Sequence, residues 1–176
     1  MPILRAILPL LVGAALQASP GLSATDVGRT TAAPESRTWA WPVLGPVIGA
    51  FEPPETPFGS GHRGIDIAAS VGTVVVAPES GVVSFAGPVG GQLFVTLDHG
   101  AGLTSTYSWL SAILVRRGDV IARGSPIART GLGHPGSSPA HLHFGVRLDG
   151  TYLDPLEFLG PVSVSDFIRL APLQTG

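Results

Sequence analysis

Two short stretches concentrate the groups able to do chemistry. One is GHRGID, with His62 and Asp66 four apart; the other is AHLHFGV, with His141 and His143 two apart. Histidine and aspartate each offer a metal one ring nitrogen or carboxylate oxygen, and zinc takes such atoms at about 2.0–2.2 Å. Read as a strand, AHLHFGV points His141 and His143 to one face, roughly 6–7 Å apart at Cα, and Leu142 and Phe144 to the other. One face is a candidate core and the other bears two imidazoles. In a straight strand His62 and Asp66 would lie about 13 Å apart. A shared ion therefore requires the chain to bend between them, and Gly64 supplies that freedom. His62, Asp66 and one of His141 and His143 then make a three-ligand set with a fourth position left for water, the pattern of catalytic rather than structural zinc. The remaining histidine is placed to move a proton. His99 in DHG and His134 in GLGHPGSS lie in turn contexts and read first as hydrogen-bonding turn residues.

Such groups need a rigid frame, and the rest of the chain predicts a β one. Of 176 residues, 24 are glycine and 17 proline, and long apolar stretches of helical period are hard to find. GIDIAA, TVVVAP, GVVSFAG, QLFVTLDH, LTSTYSWL, DVIARG, PIART and HLHFGVRLDG read as strands. Gly72, Pro78, Gly81, Gly90-Gly91, Gly100, Gly118, Gly124 and Gly131 punctuate them. The expectation is an all-β fold, a small single-domain barrel or sandwich of short antiparallel strands. SAILVRR fits a helical turn and a further strand equally well. The hairpin pattern of VRRGDVIARGSPIART is similar to that of lipoyl- and biotinyl-type hybrid barrels. The sequence has no lysine, however, so it cannot be a lysyl cofactor carrier.

The ends differ from the body. Residues 1–24, MPILRAILPLLVGAALQASPGLSA, have an early arginine, an apolar run from Ala6 to Leu16 and then small and polar residues, the outline of a signal peptide. The competing reading is a retained membrane anchor, although the run is short for a span. Residues 25–38 have almost no apolar bulk and read as a flexible linker. Residues 39–160 form the expected domain, and 161–176 a C-terminal tail. With no cysteine in the sequence there is no disulfide, no thiolate zinc site and no lipid on a cysteine. A net charge of −2 gives no electrostatic footprint for nucleic acid.

In this order, GHRGIDIAASVGTVVVAPESGVVSFAG, LDHGAGLTSTYSWL, GDVIARGSPIARTG and AHLHFGV resemble the M23 peptidases. These are the LytM- and lysostaphin-like zinc endopeptidases that cut peptide cross-links in bacterial cell walls. WPVLGPVIGAF and YLDPLEFL look like that family's domain edges, so the resemblance covers roughly residues 39–159. It implies a fold of the duplicated hybrid type. It implies one zinc ion held by His62, Asp66 and His143, with His141 matching the first histidine of the family's HxH and acting in catalysis. It also implies peptidoglycan as substrate and a secreted or cell-envelope location.

One departure bears on activity. Where the family has Tyr-x-His-Leu, this chain has YSWL, so Trp109 stands in place of a catalytic histidine. An indole donates one N–H but neither accepts nor shuttles a proton, and loss of a general acid–base costs about 10²–10⁴-fold. The resemblance therefore supports two functions. The first is an exported zinc metalloendopeptidase acting on stem peptides or cross-bridges. The second is a catalytically inactive zinc-binding module that binds the wall or regulates a partner wall hydrolase. Trp109, Tyr107 and His134 are the candidate substrate-binding residues. A third reading makes the histidines merely structural.

Overall fold

The computed structural model describes residues 38–56 and 59–161. The expected signal peptide, the linker apart from Thr38 and the tail apart from Pro161 lie outside the described residues. Ten strands follow in chain order: β1 (Val47–Gly49), β2 (Ile65–Ala68), β3 (Val74–Val76), β4 (Gly81–Val89), β5 (Gln92–Asp98), β6 (Leu103–Ile113), β7 (Val120–Ile121), β8 (Pro126–Thr130), β9 (His141–Leu148) and β10 (Thr151–Leu153). A 3₁₀ turn, Pro155–Glu157, is the one helical element among the described residues, and none of their helices could cross a membrane. The described residues are all-β apart from that turn, as the strand pattern predicts. Of SAILVRR, Ser111–Ile113 complete β6, while Leu114–Arg117 lie outside any strand.

Every strand pairing is antiparallel. The sheet runs β1-β2-β9-β6-β5-β4-β7, with β10 on β9 and β3 on β8. The 11-residue β6 is the hinge of the topology. Its first half pairs with β9, from Leu103↔Leu148 to Ser108↔His143, and its second half with β8, from Leu110↔Thr130 to Ile113↔Ala128. The β4–β5 hairpin turns on Gly90 and Gly91 at φ 57° and 83°, the two positive values that a two-residue type I′ turn demands.

Alternation decides which residues enter the core. Ile65 and Ile67 of β2, Leu142, Phe144 and Val146 of β9, Leu97 of β5 and Tyr107 of β6 are completely buried in one cluster. Val75 of β3 and Ile127 of β8 join the same cluster, so the two arms of the branched sheet close over a common interior. The intervening residues of β2 and β9 point to the opposite face, and there the polar groups gather.

Candidate metal centre

Strand register brings the two motifs together. In the β2–β9 pair, Asp66 lies opposite His143 and Ala68 opposite His141. Directly opposite residues share a face, so the Asp66 carboxylate and both imidazoles of AHLHFGV stand on the same side of the sheet. Ser108 of β6 continues that row opposite His143. The core-facing half of the alternation, Ile65, Ile67, Leu142 and Phe144, anchors both strands.

His62 reaches this face because the chain bends at Gly64, between His62 and Asp66. A Cβ on Gly64 would lie 2.3 Å from the Phe144 carbonyl oxygen and 2.9 Å from His143 Nε2, so only glycine lets the bend press onto β9. His62 is paired with Glu52 through an isolated bridge, and its Nδ1–H donates to the Ala50 carbonyl at 2.6 Å. A carbonyl only accepts, which fixes the tautomer and aims the Nε2 lone pair at the cluster. On β1, Gly49 faces Asp66. A Cβ there would come within 2.8 Å of Asp66 Oδ2, so this glycine keeps room for the carboxylate.

The potential ligand atoms converge. His143 Nδ1 is 2.8 Å from Asp66 Oδ1, His62 Nε2 is 3.0 Å from His143 Nδ1, and His62 Nε2 is 3.1 Å from Asp66 Oδ1. His134 joins them, its Nε2 lying 3.3 Å from Asp66 Oδ1 and 3.3 Å from His143 Nδ1. One donor atom from each of these four residues lies within 4.8 Å of the others. A tetrahedron with bonds of about 2.0–2.1 Å has edges of about 3.3–3.4 Å, and three imidazoles with one carboxylate are donors that zinc takes. His62 Nε2 lies 3.1 Å from the Asp66 carboxylate oxygen, and a cation held between two such atoms is a partner for both. These residues fit a zinc ion.

The electrostatics agree. Burial by itself raises the Asp66 carboxyl, but the hydrogen bond it shares with His143 and the surrounding imidazoles of His62, His143 and His134 outweigh it and hold the group below the ordinary carboxylate value. Burial is the largest influence on His134, and it moves that imidazole below the usual histidine range in spite of the opposing pull of Asp66. Asp66 is therefore ionised and His134 neutral near pH 7, the forms in which both act as ligands.

His141 is placed differently from His143. Its side chain is only 1% exposed, and Nε2 lies 3.7 Å from Asp66 Oδ2. Its Nδ1–H donates to the Pro139 carbonyl at 2.9 Å, which leaves Nε2 as an acceptor. That lone pair receives the backbone N–H of His134 at 3.1 Å. Gly133, at φ 87°, lies flat on the His141 ring, where a Cβ would sit 2.2 Å from Cε1. His141 thus seats the 131–138 loop beside the cluster.

The remaining candidates divide. Trp109 flanks the site. β5 and β6 pair Phe94 with Ser108 and Leu93 with Leu110, which leaves Trp109 as the extra residue of a bulge. Its backbone is left-handed, φ 62°, and its indole lies 4.9 Å from the His134 ring, centroid to centroid. Tyr107 is not brought to the site. It is completely buried on the core side, and its hydroxyl donates to Ser105 Oγ at 2.8 Å. Burial pushes its phenol well above the ordinary value. His99 also lies elsewhere, in the turn context its neighbours suggested. Its Nδ1–H donates to the Ser80 carbonyl, and Nε2 accepts from Ser105 Oγ, both at 2.8 Å. The sequence analysis reads His134 as a turn residue and as a candidate for substrate binding, and the structure places its imidazole among the potential ligand atoms.

Two grooves border the cluster, one at His134 and the other at His143. One, of about 580 Å³, is lined by Trp109, His134, Gln92, Leu132 and Ser137. The other, of about 330 Å³, runs from His143 past Thr106, Phe94, Arg147, Arg63 and Tyr152. The Arg63 and Arg147 guanidinium carbons lie 5.7 and 5.2 Å from the Tyr152 ring centre, within cation–π range.

Comparison with known proteins agrees with this geometry. The family model described as Peptidase family M23 matches residues 60–155, a span that contains all four cluster residues. The Pseudomonas aeruginosa "Lipoprotein NlpD/LppB homolog" is 36% identical over 142 residues, 80% of this chain and 45% of that protein. The Escherichia coli K12 "Murein hydrolase activator NlpD" is 35% identical over 124 residues, 69% of this chain and 31% of that protein. The chain thus spans less than half the length of these two relatives. Among solved structures, a zinc-containing peptidase from Vibrio cholerae superposes with a TM-score of 0.58 at 26% identity, over 68% of this chain and 39% of the other. The cluster formed by β2, β9 and the loops beside them, the antiparallel sheet that positions it and the match over 60–155 lead to one assignment: the chain belongs to peptidase family M23.

Proposed function

We propose that the chain is an exported zinc endopeptidase that hydrolyses peptide bonds in peptidoglycan stem peptides or cross-bridges. The observation that carries this reading is the convergence of His62 Nε2, Asp66 Oδ1 and His143 Nδ1, all within 3.1 Å of one another, at a cluster bordered by two grooves. Zinc held by these three residues supplies a Lewis acid for the carbonyl of the bond to be cut. The Ala50 carbonyl keeps the His62 lone pair turned inward. Arg63 and Arg147 bring positive charge to the groove that ends at His143, which suits peptides with free carboxylates. Trp109 and His134 line the other groove. His141 is the proton-handling group, since Pro139 fixes its Nδ1–H and leaves Nε2 as the acceptor. That acceptor is released when the His134 amide moves away from it. In this reading residues 1–24 export the chain, 39–160 form the peptidase domain and each chain holds one zinc ion.

Trp109 favours a second reading. It stands where the family's Tyr-x-His-Leu would place a histidine, and two of the relatives above are named for NlpD, one as a murein hydrolase activator. The chain would then hold zinc as a scaffold, bind peptidoglycan and act on a partner wall hydrolase. Incubation of the zinc-loaded chain with purified peptidoglycan, followed by mass spectrometry of the released muropeptides, separates the two. New termini that are absent with Asp66→Ala support the endopeptidase. Intact peptides after incubation with both the wild type and His134→Ala, each with zinc bound, support the activator.

A further inference from the structure

We propose that His134 is a fourth, loop-borne metal ligand that closes the metal centre in the resting chain. The inference rests on the zinc-binding part of the reading above and concerns a residue outside the three ligands that the family resemblance supplies. His134 Nε2 is 3.3 Å from Asp66 Oδ1 and 3.3 Å from His143 Nδ1, the separation expected between two ligands of one tetrahedral zinc. A three-ligand centre leaves a position for a reactant, whereas a four-ligand centre is of the closed, structural kind. In this chain the ring of His134 takes the place that a reactant would need.

The ring is held there by contacts made for no other evident purpose. The Trp109 indole lies against one side of it, presented by a bulged residue in a left-handed conformation that bulky side chains rarely adopt. The His134 backbone N–H is tied to His141 Nε2, and Gly133 packs flat on the same imidazole. Beyond His134 the chain is loosely held. Pro135, Gly136, Ser137, Ser138 and Pro139 are exposed, and the one backbone bond within this turn runs from Ser137 N–H to the His134 carbonyl at 3.1 Å. The ligand therefore sits on a segment that can lift without disturbing β8 or β9. Lifting it does two things at once, because it vacates the fourth position and frees the His141 lone pair. A peptide or partner seated in the groove lined by Trp109, His134 and Ser137 is placed to do this.

The test uses the full chain and needs no catalysis. Zinc affinity is read by competition with a chromophoric chelator, and the coordination sphere by visible absorption after cobalt(II) substitution, with azide as a probe for an open position. The wild type should show a four-coordinate cobalt spectrum that azide leaves unchanged. His134→Ala should bind zinc about 10–100-fold more weakly and give a spectrum that shifts with azide. Free imidazole added to His134→Ala should restore the wild-type spectrum. His99→Asn, which removes an imidazole that lies outside the cluster, should behave as wild type. Equal zinc affinity and equal azide response in wild type and His134→Ala would overturn the proposal while leaving the three-ligand site intact. A wild-type chain that takes up no zinc would overturn the metal reading itself, and this inference with it.

Discussion

The Trp109 and His134 rings pack in a tilted arrangement, with centres 4.9 Å apart and planes inclined by 54°, and Trp109 makes this contact from a backbone with φ 62°. A left-handed conformation costs a residue with a Cβ roughly 1–2 kcal/mol and glycine almost nothing. Trp109→Ala keeps that strain and loses the ring contact, whereas Trp109→Gly loses the contact and relieves the strain. The glycine variant should therefore be about 1 kcal/mol more stable than the alanine variant in urea unfolding. Equal stability of the two would mean that the bulge is not strained.

Metal removal should lower thermal stability only while the ligands are intact. A ligand that binds the folded chain alone stabilises it by about 2.7 kcal/mol when present at 100 times its dissociation constant. Chelation should therefore drop the midpoint of wild-type unfolding by several degrees. Asp66→Ala removes the carboxylate oxygen that lies within 3.3 Å of His62, His134 and His143, so its midpoint should not respond to chelator. Differential scanning calorimetry with and without added zinc reads both.

Gly133→Ala should act through His141. The new Cβ would lie 2.2 Å from His141 Cε1 and 2.4 Å from Nδ1, at a backbone φ of 87°. The left-handed backbone alone costs about 1 kcal/mol, and the clash forces either the buried imidazole or the loop to move. Expected are a thermal midpoint lower by roughly 4–8 °C and a loss of zinc affinity like that of His134→Ala. Normal zinc affinity in Gly133→Ala would show that the loop does not position a ligand.

His99 predicts a pH effect far from the cluster. Burial lowers its imidazole below the ordinary value, with the Ser80 carbonyl, Glu79 and Asp98 pulling the other way. Its ring is packed 4.7 Å from Trp39. The unfolded chain, with a histidine value of about 6.5, thus binds the proton more readily than the folded one. The stability due to neutral His99 is fully present above about pH 6.5 and is lost as the pH falls through that value toward the lower folded one. Urea midpoints measured between about pH 7.5 and 5.5 should fall less steeply in His99→Asn than in wild type. Parallel slopes would contradict this.

How much of this was legible in the sequence depends on distance along the chain. The alternation of AHLHFGV separated His141 and His143 from Leu142 and Phe144, because side-chain direction in a strand is local. The bend at Gly64 followed from the geometry of four residues. The assembly of His134 was not legible, because it depends on a loop folding back onto Asp66, 68 residues earlier in the chain, and turn residues specify a direction change rather than a destination. Tyr107 shows the same limit from the other side. It adjoins Ser108, which shares the His143 face, yet it belongs to the core because β6 alternates through that position. The Trp109 bulge leaves no periodic trace either, since one extra residue is noticed only against its partner strand.

The pairing of Asp66 with His143 joins positions 77 residues apart. They become neighbours only when β9, near the end of the domain, docks between β2 and β6. Every earlier stage of synthesis or folding holds His62 and Asp66 without their partners. The convergence of these side chains therefore reports completion, since the cluster exists only after the last long strand is in place. A domain built this way assembles its candidate metal centre last.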